Sequence, residues 1–243
     1  MVGVVEFVRS RLGFQPDLRQ SAVLESTAKQ GILNCSRQWG KSTVSVAKAL
    51  HRAHSIANCL VLVASPGERQ SAEWMRKAYT MARQLEVPLR GDGDNKISLL
   101  LPNGSRIVGL PGMDGTVRGF SSVSMLVIDE ASRVSDSMYK ALRPMLAVSD
   151  GDLWLMSTPY GRQGFFYEAW EHGGAEWFRV HGPATGCPRI KPEFLERERG
   201  VMGALGFRQE YLGEFVDCGA GVFERGLVEA ALDDSVEPLG FRR

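Results

Sequence analysis

The stretch Cys35-Ser-Arg-Gln-Trp-Gly-Lys-Ser-Thr-Val44 brings a glycine, a lysine and a hydroxyl together as Gly40-Lys41-Ser42. Residues of these types in this order can hold a polyphosphate. Backbone N–H groups and a helix N-terminus face the phosphate oxygens, the lysine reaches the outer phosphates, and the serine hydroxyl meets a magnesium ion. The position five before Gly40, where such a loop usually carries its first glycine, holds Cys35. The simple pattern therefore fails at one residue, and a glycine-containing turn is the competing reading.

Two further groups could complete the chemistry. The run "SMLVIDEAS" ends an apolar strand in Asp129-Glu130, and adjacent carboxylates there are costly unless they meet a cation and a water. Asp129 would then serve the magnesium, and Glu130 would polarise the water that attacks a γ-phosphate. An acidic turn after a strand is the plainer alternative. A second apolar run ends in Ser157-Thr158-Pro159, whose hydroxyls could sense the γ-phosphate and pass its loss to the helix that follows, or could cap that helix. The phosphate loop and the acidic pair, in that order and separated by a strand-helix unit, share one reading: nucleotide hydrolysis.

These groups need a frame that gathers strand ends. Short β-rich apolar runs at 31–35, 59–64, 124–129 and 153–157 alternate with longer segments of helical period, the pattern of a parallel sheet with helices on its faces. The fold class is α/β, and the chemistry belongs at the C-terminal strand ends. Residues 42–58 and 68–86 have helical spacing, whereas 98–110 reads as two antiparallel strands joined by an Asn103-Gly104 turn, an excursion from the main sheet. After about residue 175 the apolar runs thin out, and 191–200 and 204–216 read as helices with no strong strand between them. The expected division is a core over 1–178 and a small C-terminal subdomain over 179–243.

A chain of 243 residues that is 44% hydrophobic can bury a sizeable core. With 29 Lys and Arg against 28 Asp and Glu, the net charge of +1 creates no global field, so any nucleic-acid contact is a local patch. Arg162, Arg179, Arg189 and Lys191 are candidates for such a patch, with ordinary surface charge as the plainer reading. Cys35, Cys59, Cys187 and Cys218 are widely spaced, which argues against a disulfide framework or a zinc knuckle. His51 and His54 could share a helical face but lack a Cys or acidic partner, so packing or surface roles suit them better than a metal. No segment reaches the roughly 18–20 apolar residues that span a bilayer. The sequence reads as that of a soluble protein.

Taken in order, the motifs resemble the ATPase domain of the large terminase subunit, the DNA-packaging motor of tailed bacteriophages. The resemblance runs over nearly the whole chain. It starts at "LGFQPDLRQ", similar to the family's adenine-recognising segment, and passes through "SRQWGKST", where the family's loop likewise often departs from the glycine pattern and carries Arg then Gln ahead of Gly-Lys. It continues with "VASPGERQSAEW", containing Gln70, with "GTVRGFSSVSMLVIDEAS", with "STPYGRQGFFYEAW" and with "GFRQEYLGEFVDCGAGVF". The last is individually the least specific; the ordered set is highly specific.

The resemblance implies a P-loop NTPase of the ASCE type, a central mainly parallel sheet flanked by helices with a small C-terminal lid. It also implies ATP and Mg2+ as ligands, and hydrolysis that powers translocation of double-stranded viral DNA into a procapsid. The implied nucleotide contacts are Gln20, as the adenine-reading glutamine, and the loop residues Ser36, Arg37, Gln38, Trp39, Gly40, Lys41, Ser42 and Thr43. Ser42 and Asp129 would hold the metal, Glu130 the catalytic water, and Ser157 and Thr158 would couple phosphate loss to motion. Two arginines compete to stabilise the developing charge: Arg37 in cis, and Arg118, eleven residues before Asp129, in trans from a neighbouring subunit. A loop salt bridge is the alternative for each.

The same analogy implies a homo-oligomeric ring, a pentamer when assembled and compatible with a monomer in solution. Its partners would be DNA, the portal protein and the small terminase subunit, in the cytoplasm of the infected bacterial host and with no membrane contact. Full-length relatives continue into a metal-dependent nuclease domain, whereas this sequence stops at "EPLGFRR", so no nuclease activity is expected of it. Two other readings stay open. One is a nucleotide-gated docking or DNA-binding module with little turnover; the other is a helicase-like ATPase of superfamily 2, which needs a second motor domain.

Overall fold

Successive side chains on a strand point to opposite faces of a sheet, so strands that are apolar at every position need cover on both sides. The computed structural model, which describes residues 3–94, 97–110, 119–217 and 231, supplies that cover. In β1 (Gln30–Cys35) Leu33 and Cys35 join one buried cluster and Ile32 the other, and in β2 (Leu60–Ala64) Val61 and Val63 oppose Leu62 and Ala64 in the same way. The first cluster is closed by α1 (Val4–Leu12), α2 (Leu18–Glu25), α3 (Lys41–Ser55) and α4 (Glu68–Ala82), which contribute Val8, Leu24, Leu50 and Trp74. The second is closed by α5 (Asp136–Leu142) and α6 (Gly164–Glu171) through Leu142 and Phe166.

Among the described residues seven strands form one sheet, in the order β3-β4-β2-β5-β6-β1-β7. Here β3 is Ser98–Leu100, β4 Arg106–Gly109, β5 Met125–Asp129, β6 Asp152–Ser157 and β7 Trp177–Gly182. All neighbours run parallel except β3 and β4. The strand that carries the phosphate loop and the strand that ends in the acidic pair are separated by one strand, β6. This is the α/β P-loop architecture that the sequence led us to expect, with the C-terminal ends of β1, β5 and β6 side by side.

Three expectations are corrected. The 98–110 hairpin is no excursion: β4 continues the main sheet parallel to β2, from Leu60 opposite Arg106 to Val63 opposite Gly109. Asn103 fixes it there, its side-chain Nδ2 donating to the Ala53 carbonyl at 2.9 Å at the C-terminal end of α3. Second, β7 extends the sheet beyond β1, with Gln30 opposite Trp177 and Cys35 opposite Gly182, so the expected 178/179 boundary falls inside a strand. Being an edge strand, β7 leaves His181 exposed and Arg179 half-buried, which breaks the continuous apolar run that marks a central strand. Third, α7 (Pro192–Phe207) runs through the two expected C-terminal helices and kinks at Gly203, where φ is 69°. A single π-helical turn, Arg208–Leu212, follows it in place of a helix to residue 216.

His51 and His54 pack against the Phe7 ring, with centroids 5.2 and 5.1 Å away, as side chains of the α1–α3 contact. No helix among the described residues is long and apolar enough to cross a membrane.

Candidate active site

The loop between β1 and α3 turns on Gly40, whose φ of 99° lies where a side chain would be strained. Gly40 is the N-cap of α3 and no side chain caps the helix, so the N–H groups of its first turn remain open to an anion. Cys35, by contrast, keeps a negative φ at the end of β1, and nothing in its backbone calls for glycine. Its thiol is fully buried and pushed up to about 12 by desolvation, which leaves it inert. The glycine the loop lacks stands instead on the facing strand: a Cβ at Gly182 would lie 2.6 Å from Cys35 Sγ and from Trp39 Nε1.

Lys41 is buried and folded back on the loop, Nζ donating to the carbonyls of Cys35 at 2.8 Å and Ser36 at 2.9 Å. Burial lowers its pKa, with partial relief from Glu130 and Asp129. The next residue, Ser42, donates from Oγ to Asp129 Oδ2 at 3.1 Å, joining loop and acidic strand across β6. Asp129 is buried, and desolvation first, then the charge of Glu130, push its carboxyl up to about 6. Glu130 sits in the left-handed region at φ 52°, a conformation that turns the chain sharply just after the strand.

A cleft of about 440 Å³ opens over this arrangement, lined by Phe14, Gln20, Arg37, Gln38, Gly40, Lys41, Ser42, Thr43, Lys77, Glu130 and Arg189 among others. A half-buried hydroxyl, a buried carboxylate, a buried lysine and an open helix N-terminus on one cleft can bind a metal-complexed polyphosphate.

Over residues 32–229 the chain matches the family described as terminase large subunit, T4likevirus-type, N-terminal. The chain belongs to that terminase family. Two curated relatives, the terminase large subunits of Thermus phage G20c and Thermus virus P23-45, are each 26% identical over 252 residues, covering 87% of this chain and 51% of theirs. The chain thus spans about half the length of the curated relatives it matches. Among solved structures, the ATPase domain of the Thermus phage P74-26 large terminase superposes with a TM-score of 0.79 at 22% identity, covering 89% of this chain and 100% of that one. The large terminase of the thermophilic bacteriophage D6E in complex with ATP-γ-S gives 0.66 at 15% identity, over 82% and 52%. These likenesses establish the fold.

Within this terminase fold the expected site residues divide. Gln20, Arg37, Gln38, Gly40, Lys41, Ser42, Thr43 and Glu130 line the one cleft, and Asp129 joins it through Ser42. Trp39 is a buried structural residue whose carbonyl accepts from Gln20 Nε2 at 3.1 Å and from Arg189 Nη2 at 2.6 Å. Ser36 donates its N–H to the Gly182 carbonyl at 2.8 Å, and its buried hydroxyl has no partner among the described residues. Arg37 is paired with Glu210 at 2.5 Å. Arg118 lies outside the described residues.

Ser157 and Thr158 do not cap α6, whose N-cap is Gln163; Asp136 receives the Phe165 N–H there instead, at 2.9 Å. They bond to Ser132, two residues past Glu130: Ser132 Oγ donates to the Thr158 carbonyl at 2.8 Å and lies 2.7 Å from Ser157 Oγ. Ser132 was in plain view in "DEAS", but only the fold gives it this contact. Three of the four candidate basic residues are engaged by neighbouring groups. Arg179 donates to the Ala169 and Trp170 carbonyls at the end of α6, Arg162 to the Phe215 carbonyl, and Arg189 pairs with Asp17 at 3.0 Å beside the cleft.

Proposed function

We propose that this chain is the ATPase core of a viral DNA-packaging motor, hydrolysing ATP with Mg2+ to drive double-stranded DNA into a procapsid. The observation that carries the reading is the 3.1 Å contact between Ser42 and the buried Asp129, set against the uncapped start of α3. The residues fit magnesium. A hydroxyl and a desolvated carboxylate are hard oxygen donors, and this metal needs few protein ligands because it keeps waters and phosphate oxygens. No cluster of three acidic, His or Cys ligands exists among the described residues, which suits such a sparsely held ion better than a caged one.

Bound there, Mg2+ would neutralise charge on the outer phosphates. The protein's own groups divide the remaining work. Lys41 exchanges its two carbonyl partners for phosphate oxygens, and the first-turn N–H groups of α3 hold the anion. Glu130 orients a water for in-line attack on the γ-phosphorus; the bond to the bridging oxygen breaks and the water's proton passes to solvent or phosphate. Gln20 and Phe14 flank the cleft where a base would lie. Ser132 links Glu130's turn to Ser157 and Thr158, a route by which phosphate loss reaches α6. The segment after β7 carries its own small core of Ala184, Leu195, Phe207 and Tyr211, which suits a lid. A ring of copies, with Arg118 acting in trans and portal, small subunit and DNA as partners in the host cytoplasm, completes the reading. The D6E complex with ATP-γ-S supports the choice of nucleotide.

Titration with ATP-γ-S tests the metal site directly. Magnesium should tighten binding to the native chain about tenfold or more, and Asp129→Asn should lose that increment while keeping metal-free binding. Equal magnesium dependence in both proteins would remove Asp129 from the metal.

A further inference from the structure

Lys48 is a buried lysine on α3, about two turns past the phosphate loop, that the chemistry above does not use. Its ammonium donates to three carbonyls, those of Val23 at 3.0 Å, Leu24 at 3.1 Å and Ser26 at 2.8 Å. These belong to the last turn and the C-cap of α2, where carbonyls lack a partner within the helix. A cation there also meets the negative end of the helix dipole. Nζ further stands 4.5 Å from the centre of the Trp154 ring, which lies across Gly31 on β1 so closely that a Cβ there would collide with it.

The opposite end of the same helix stands in the nucleotide cleft. Gln20, in the first turn of α2, completes a capping box with Asp17 and donates from Nε2 to the Trp39 carbonyl at 3.1 Å. A Cβ on Gly40 would fall 2.8 Å from that nitrogen, so the amide lies against the phosphate loop without slack. After these contacts the Gln20 side chain keeps one N–H and one lone pair, and it lines the cleft. A helix of eight residues is too short to hold its shape alone in water, so its anchors set its position. One anchor is the loop, through Gln20; the other is Lys48, on the helix that the loop begins. Desolvation first, then the charge of Arg52, bring the Lys48 ammonium down to about 7. Methionine would fill the same space without a buried charge, as apolar replacements often do. What methionine would lose is the hold on α2.

We propose that Lys48 is a positioning residue for the base end of the cleft, which fixes α2 against α3 so that the Gln20 amide keeps its place beside the loop. The inference rests on the nucleotide site argued above. It divides that site in two: the phosphates are held by the loop and the start of α3, which Lys48 does not move, whereas the base is met from α2, which it does.

The test compares the binding of ATP-γ-S and of inorganic tripolyphosphate, both with magnesium, to the native chain, Lys48→Met, Gln20→Ala and the Lys48→Met/Gln20→Ala pair. Tripolyphosphate offers the phosphates without the base. Lys48→Met should weaken ATP-γ-S about fivefold or more and change tripolyphosphate affinity by no more than about twofold. The same substitution should cost nothing further once Gln20 is alanine. The proposal is overturned if Lys48→Met weakens both ligands by the same factor, leaves both unchanged, or acts on ATP-γ-S equally with and without Gln20. Should Lys48→Met fail to fold, Lys48→Gln carries the comparison, since it keeps N–H donors but loses the charge and the full reach; an unchanged ratio of the two affinities in that variant would equally overturn the proposal. A native chain that binds neither ligand would instead refute the nucleotide reading beneath it.

Discussion

Burial lifts the Asp129 carboxyl to about 6, against the pull of Lys41 and of the Ser42 hydroxyl. The sign of the consequence is fixed by linkage. Between its ordinary value of 3.8 and about 6 the folded chain keeps a proton that the unfolded chain has released, so this group's favourable contribution is complete below that window and is lost as pH rises through it. Without magnesium, Asp129→Asn should therefore melt at a higher temperature than the native chain at neutral pH, and the gap should close towards pH 4. A native chain that melts at or above Asp129→Asn at neutral pH in metal-free buffer would show that the carboxylate is not under this strain. Lys41, Ser42, Asp129 and Glu130 were legible from residue type and order because a phosphate loop and an acidic strand end are local patterns. Glu210, Arg189 and Ser132 were not: each acquires its role through contacts that no spacing encodes.

At the level of elements, β1 and β7 share one packing problem. Cys35 and Trp39 fill the space over Gly182, so a methyl added there has nowhere to go: its neighbours would be Cys35 Sγ and Trp39 Nε1, both at 2.6 Å. Gly182→Ala should cost about 1–3 kcal/mol in denaturant unfolding, and adding Cys35→Gly should return part of it. Additive losses would mean that the two residues do not compete for the same volume. The central strands were legible because burial on both faces makes them continuously apolar; the edge strand β7 was not, since His181 is exposed to solvent. The Asn103-Gly104 turn was also legible, while its attachment to the end of α3, and hence the place of β4 in the sheet, depended on a side-chain contact across 50 residues of sequence.

The whole molecule is a sheet that carries the loop of β1 and the acidic end of β5 on either side of β6, with the segment after β7 returning Glu210 to the loop. The architecture, and the meeting of the loop with the acidic strand end at one cleft, could be argued from order along the chain alone. The reach of the C-terminal segment back into that cleft could not, because the residues it joins lie at opposite ends of the sequence. The account's central claim is that this cleft hydrolyses ATP through Glu130. The direct measurement is magnesium-dependent phosphate release from ATP by the native chain and by Glu130→Gln, each paired with ATP-γ-S binding. The account predicts turnover in the native chain and a loss of about a hundredfold or more in Glu130→Gln, with binding retained. Equal turnover in the two proteins would contradict it.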